Sequence, residues 1–150
     1  MKVALGSDER TSLTDFLVRE LEQRGHEVLR FGAIAEGDTE VDWPLSARNT
    51  AETVARGEAQ DAIVCCWTGT GASIAANKVI GVRAALCADA ETAKGARNWN
   101  HANVLALSLR STSEAVAREI LDAWYGTPYS EDEWNRKQIE RIANADLPRS

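Results

Sequence analysis

Three observations predict an α/β chain whose parallel sheet is covered by helices on both faces. Five short apolar runs recur along the sequence, helix-length amphipathic segments fill the gaps between them, and neither a linker nor an internal repeat interrupts the alternation. The runs Lys2–Gly6, Glu27–Phe31, Asp61–Cys66, Val82–Cys87 and Asn103–Ser108 read as strands. Between the first two, Thr14–Arg24 carries Phe16, Leu17 and Leu21 on one face, and Gly25 stops it. Pro44 opens the next helix, which runs to Arg56 with Gly57 behind it. Gly71–Val79, Ala90–Trp99 and Ser113–Tyr125 follow, and a charged last helix, about 131–143, carries Trp134, Ile139 and Ile142. Such a terminal helix suits docking on a neighbouring subunit.

The 150 residues suit one domain, 1–150, with 44% hydrophobic and 27% charged residues. The net charge of −6 leaves no basic footprint for nucleic acid. No segment approaches a membrane span, and the apolar run after Met1 is too short for a signal peptide. Three cysteines without disulfide or metal spacing fit a reduced, cytoplasmic setting.

The most informative stretch is Cys65-Cys66-Trp67-Thr68-Gly69-Thr70-Gly71, where a strand, a glycine loop and a helix opening meet. Such a junction aims backbone N–H groups at an anion, and Cys66 ends the strand facing it. A thiolate beside an oxyanion cradle is an enzyme arrangement. Cys65 and Cys87 read as buried small hydrophobes. The dinucleotide fingerprint fails, because Ile74 stands where the third glycine belongs. A cysteine phosphatase needs Arg six residues after its thiol, where Ala72 stands. His26 and His101 have no metal-ligand spacing, so neither a metal nor another cofactor is expected.

Ligands of parallel sheets bind beyond the carboxyl ends of the strands, which gathers Ser7–Arg10, Cys66–Gly71, the stretch after Cys87 and Ser108–Arg110 around one cleft. Asp8 reads either as a cap for the helix starting near Thr11 or as a cleft residue. His101 precedes its strand, at the wrong end for that cleft unless the preceding helix brings its loop round.

The chain resembles the ribose-5-phosphate isomerase B family and its galactose-6-phosphate isomerase relatives over nearly its whole length. The resemblance rests on Gly6-Ser7-Asp8, Asp42-Trp43-Pro44, Cys66-x-Thr68-Gly69-x-Gly71-x-Ser73-Ile74-Ala75-Ala76-Asn77-Lys78, Arg83–Cys87, Asn100-x-x-Asn103-Val104-Leu105-Ala106 and Asp122-Ala123-Trp124. It implies a three-layer α/β/α, Rossmann-like (flavodoxin-like) sheet and a homodimer or dimer of dimers with active sites at the subunit interface. It also implies a metal-independent aldose–ketose isomerase that moves a proton between C1 and C2 of a sugar phosphate through a cis-enediolate. In that reading Cys66 is the base and Thr68 assists at the oxygens. Trp67, Gly69, Thr70, Gly71 and Ser73 cradle the substrate, and Asp8 and Asn100 bind its hydroxyls.

The chain departs from the family around the rest of the sugar. Glu9 stands where the family has a phosphate-side His, Trp99 where it has the ring-opening His, and Trp43 where it has Tyr. The family's two C-terminal arginines map to about Glu133 and to Lys137 or Gln138, whereas Arg110 is kept. A carboxylate beside a dianion is unfavourable. Either Arg10, Arg136, Lys137 or Arg141 compensates, or the substrate carries no phosphate there. Trp43, Trp99 and Trp134 make the pocket bulkier and more apolar. His101 or Glu9 is the candidate replacement acid/base for ring opening, unless the substrate is open-chain, such as a tetrulose. Beside the ribose 5-phosphate isomerase reading stand two others: an isomerase or epimerase of a different or unphosphorylated sugar, and a catalytically silent sugar-binding relative.

Overall fold

The computed structural model describes residues 1–149. Five strands, β1 (Lys2–Ser7), β2 (Glu27–Gly32), β3 (Asp61–Cys66), β4 (Ala84–Leu86) and β5 (Val104–Ser108), alternate with α1 (Ser12–Gln23), α2 (Trp43–Ala55), α3 (Thr70–Asn77), α4 (Ala90–Asn98) and α5 (Glu114–Gly126), and α6 (Glu133–Asn144) closes the chain. Every strand pair is parallel, and the order across the sheet is β2-β1-β3-β5-β4. The result is the three-layer α/β/α sandwich with a five-stranded parallel sheet. A flavodoxin-type sheet runs 2-1-3-4-5; here β5 inserts between β3 and β4.

Period-two alternation splits the core. Val3, Leu5, Ile63, Cys65, Leu105 and Leu107 pack with α1, α4 and α5, around the fully buried Trp124. Ala4, Ala62, Val64, Cys66, Val104 and Ala106 face α2 and α3 through Ala47, Ala51, Ala72 and Ala76. Small side chains on both sides let these two helices lie close to the sheet. Adjacent cysteines thereby end on opposite faces, and only Cys66 turns toward the start of α3.

β4 is shorter than the apolar run around it. The Asn77 side-chain amide accepts from Ala84 N–H and donates to Ala84 C=O, and Asn103 Oδ1 accepts from Arg83 N–H, so side chains occupy the backbone groups that further pairing would use. The cap of α1 is Thr11, in a reciprocal capping box with Thr14, which removes the capping role considered for Asp8. Asp132 caps α6, which therefore starts at Glu133. Among the described residues no helix is long and apolar enough to cross a membrane.

Candidate active site

Beyond Cys66 the chain turns sharply into α3. Gly69 is the N-cap residue at φ +78°, where an added Cβ would lie 2.6 Å from Leu86 Cδ1 and 2.9 Å from the Leu107 carbonyl carbon. β5 clamps the loop from the other side. Leu109 N–H donates to Cys66 C=O and Arg110 N–H to Trp67 C=O, each at 3.0 Å, and Ser108 Oγ also donates to Trp67 C=O. The loop is therefore held while Trp67, Thr68 and Thr70 stay exposed.

Within this frame the Ala72 N–H points at Cys66 Sγ, 3.4 Å away. Ser73 N–H is taken by Gly69 C=O, and as first-turn groups the Thr70 and Gly71 N–H have no intrahelical acceptor. The sulfur thus shares the positive end of α3 with donors that suit an oxyanion. Thr68 and Thr70 hydroxyls lie 2.8 Å apart on the loop. The other thiols are inert: burial pushes Cys65 far up, and burial with nearby Asp89 pushes Cys87 up to about 12.

Asp8 follows β1, which pairs with β3 so that Ser7 stands opposite Cys65. Its Oδ1 is buried and has no hydrogen-bond partner among the described residues. Burial, then Glu9 and Asp42, holds its carboxyl above the usual carboxylate range despite a local backbone hydrogen bond. Glu9 is exposed, its backbone tied to the Ser7 hydroxyl. Arg10 does not serve this cleft as the sequence suggested. It pairs with Asp15 on α1 at 2.9 Å and lines an outer hollow with Arg30 and Ile34. Arg110, exposed, is tied to the Cys66 loop through its backbone.

The remaining sequence candidates gather elsewhere. Trp99, Asn100 and His101 lie between α4 and β5, at the amino end of β5, which by its length of about 17 Å separates them from the Cys66 end. Trp99, 61% exposed, packs back on Gly95 and lines a cavity with Asn100, Trp134, Asn135 and Gln138. Lys137, on the same helix, is paired with Glu133 at 3.3 Å, and Arg136 with Glu131 at 3.2 Å.

His101 is not a free acid/base. It is 8% exposed at φ +48°, stacks on Tyr129 with centroids 4.3 Å apart, and places Nε2 2.9 Å from Ser130 C=O and 3.1 Å from the Asn135 amide. Asn135 is the buried residue of α6, so this ring pins the last helix to the body. The role assigned to it from sequence fails because its nitrogen faces a carbonyl inside the fold. Asn77 and Asn103 as fasteners of β4 are not visible in the sequence, because their backbone partners at Ala84 and Arg83 lie 7 and 20 residues away along the chain. Among the described residues no group of three or more His, Cys, Asp and Glu side chains converges on a metal-sized site.

Residues 3–142 match the family model described as ribose/galactose isomerase. The chain belongs to the ribose/galactose isomerase family. It is 38% identical over 142 residues to ribose-5-phosphate isomerase B of Escherichia coli, covering 94% of this chain and 93% of that one. It is 33% identical over 147 residues to D-erythrulose-4-phosphate isomerase of Pectobacterium atrosepticum, covering 95% and 93%. Among solved structures, ribose-5-phosphate isomerase B of Clostridium thermocellum superposes with a TM-score of 0.88 at 35% identity, covering 97% of each chain. These three relatives match this chain over nearly their whole length, and the solved one shares its fold.

Proposed function

We propose that the protein is a cofactor-free aldose–ketose isomerase of a sugar phosphate, with Cys66 as the base. The observation that carries this reading is the Ala72 N–H aimed at Cys66 Sγ beside the uncommitted N–H groups of Thr70 and Gly71. In the aldose-to-ketose direction the Cys66 thiolate takes the proton from C2. The C2–H electrons form the C1=C2 bond, and the carbonyl pair moves onto O1. Thr70 and Gly71 N–H hold the resulting enediolate oxygen. A proton passes from O2 to O1 through Thr68, and the thiol returns its proton to C1 as C2=O forms. Asp8, whose carboxyl burial pushes up, hydrogen-bonds a sugar hydroxyl. The same reading implies a cytoplasmic enzyme.

A second copy of the chain is part of the proposal. The exposed Trp99, Trp134 at 68% and Ile142 at 55% leave an apolar face on and beside α6. Docked on another subunit, that face would bring Asn100 and Lys137 to a Cys66 loop that lacks them.

One observation favours a second substrate class. With His101 locked onto Ser130 and Trp99 beside it, this half of the site offers no free imidazole for opening a sugar ring. An open-chain tetrulose phosphate needs no ring opening, and a relative named D-erythrulose-4-phosphate isomerase is 33% identical.

Incubation in D2O with ribose 5-phosphate, erythrulose 4-phosphate and galactose 6-phosphate tests both readings. Deuterium should enter at C1 or C2 of one member, and Cys66→Ala should lower uptake by roughly 10²–10⁴-fold. Mixing Cys66→Ala with Asn100→Ala subunits should restore part of the activity. Uptake by Cys66→Ala at the wild-type rate would remove the thiol from the mechanism, and no uptake with any substrate would remove the reading for that panel.

A further inference from the structure

Trp43 is the first residue of α2, far in sequence from the Cys66 loop, and it is 44% exposed. Its indole nevertheless rests on the loop. A Cβ added to Gly71 would lie 2.9 Å from Trp43 Cε3, 3.1 Å from Cζ3 and 3.2 Å from Cδ2. The six-membered ring is thus pressed against the Gly71 backbone with no room for a side chain. Gly71 supplies the carbonyl half of the peptide whose N–H, that of Ala72, points at Cys66 Sγ. Pro44 follows Trp43 directly, and its fixed φ stiffens the backbone that carries the indole.

We infer that Trp43 is a positioning residue for the proposed isomerase site: by bearing on Gly71 it fixes the Gly71–Ala72 peptide, and with it the N–H that faces the Cys66 sulfur. The physical basis is that preorganised donors act through their fixed direction, so a small rotation of one peptide changes what they stabilise. The role differs from contact with the reacting atoms, because the indole acts through the peptide it holds. The inference rests on the isomerase reading for its catalytic consequence, but the contact with Gly71 can be tested without turnover.

The experiment compares wild type, Trp43→Ala, Trp43→Phe, Gly71→Ala and the Trp43→Ala/Gly71→Ala double variant, with folding checked by circular dichroism. Iodoacetamide alkylation at pH 7 is followed at Cys66 by tandem mass spectrometry. Where Trp43 is present, Gly71→Ala should change the Cys66 rate by about tenfold, because the new Cβ must displace either the indole or the peptide; where Trp43 is absent it should change it by less than about twofold. In turnover of ribose 5-phosphate, Trp43→Ala should lower kcat by about tenfold with KM little changed, and Trp43→Phe should recover most of it. A Gly71→Ala effect of equal size in both backgrounds overturns the inference. So does an unchanged kcat in Trp43→Ala. If wild type leaves ribose 5-phosphate unconverted, the substrate assignment is what fails, and the alkylation comparison still decides the role of Trp43.

Discussion

Gly69→Ala tests how rigidly the loop under Cys66 is held. Two costs add at this position. The first is conformational: an L side chain at φ +78° costs roughly 1–2 kcal/mol. The second is steric. The new methyl would meet Leu86 Cδ1 at 2.6 Å, which can swing away, but also the Leu107 carbonyl carbon at 2.9 Å and its oxygen at 3.0 Å. Those backbone atoms belong to β5, paired with both β3 and β4, and cannot retreat without breaking the ladder. Overpacking of this kind costs about 1–3 kcal/mol, giving a total of about 2–5 kcal/mol. Gly57 separates the two terms. It has φ +73° with nothing within 4 Å of its added Cβ, so Gly57→Ala should show the conformational cost alone, about 1 kcal/mol. Urea unfolding followed by tryptophan fluorescence reports both variants. Gly69→Ala should be the less stable by about 1–3 kcal/mol. If instead the loop moves to relieve the clash, turnover should fall by about 10²-fold, since a shift near 1 Å disturbs alignment that much. Equal stability losses in the two variants, with turnover intact in Gly69→Ala, would refute the claim that β5 holds the loop.

Two further predictions concern the polar groups at the other end of the sheet. Asp61, 4% exposed, accepts from Trp124 Nε1 at 2.9 Å, yet burial holds its carboxyl above the usual range. Its protonated form is favoured in the fold, so its contribution is full below the unfolded value of 3.8 and is lost as pH rises through the folded value. Asp61→Asn should therefore gain stability relative to wild type between pH 4 and pH 7, and parallel urea midpoints across that range would count against the assignment. His101→Ala should cost about 1–3 kcal/mol, because the stack on Tyr129 and one of two hydrogen bonds at the part-buried Ser130 C=O are lost, and should raise amide exchange in α6; His101→Asn, which tolerates positive φ, should cost less. Unchanged α6 exchange would remove the pin.

The alternation of strands and helices was legible because one period dominates each segment, and all eleven elements appear within a few residues of where the pattern put them. The Cys66 loop was legible for a similar reason: its thiol, glycines and helix start are consecutive in sequence, so local geometry decides where they point. Strand order was not, since β5 beside β3 depends on packing among segments distant along the chain. Side-chain commitments were hidden in the same way. Arg10 seemed near the cleft but has a better partner in Asp15, five residues on. His101 seemed free, but its partner carbonyl at Ser130 lies on a connection whose path the sequence does not reveal. Trp43 was marked as a pocket aromatic, while its seat on Gly71 follows only once α2 and α3 are placed side by side.

The separation of Asn100 from Cys66 constrains what evolution can change independently. On the proposed reading, the residues that would stabilise an enediolate sit on one strand end, held by Gly69, by the β5 clamp and by the indole on Gly71. Those that would recognise the rest of the sugar sit on α6 and the loop before β5, where the His101 and Asn135 side chains meet at Ser130 C=O. Within one subunit a full strand lies between Trp99 or Lys137 and Cys66, so a substitution at either leaves in place the backbone hydrogen bonds that hold that subunit's own Cys66 loop. On this reading the proton-transfer chemistry is kept while the sugar it acts on is altered at the far end of the molecule. Replacing Trp99 by His should accordingly change the preference between ring-forming and open-chain substrates while the amides of Leu109 and Arg110, which hold the Cys66 loop, keep their protection from hydrogen exchange. Faster exchange at those two amides would show that the two ends of a subunit are coupled and that the site is not built from separable halves.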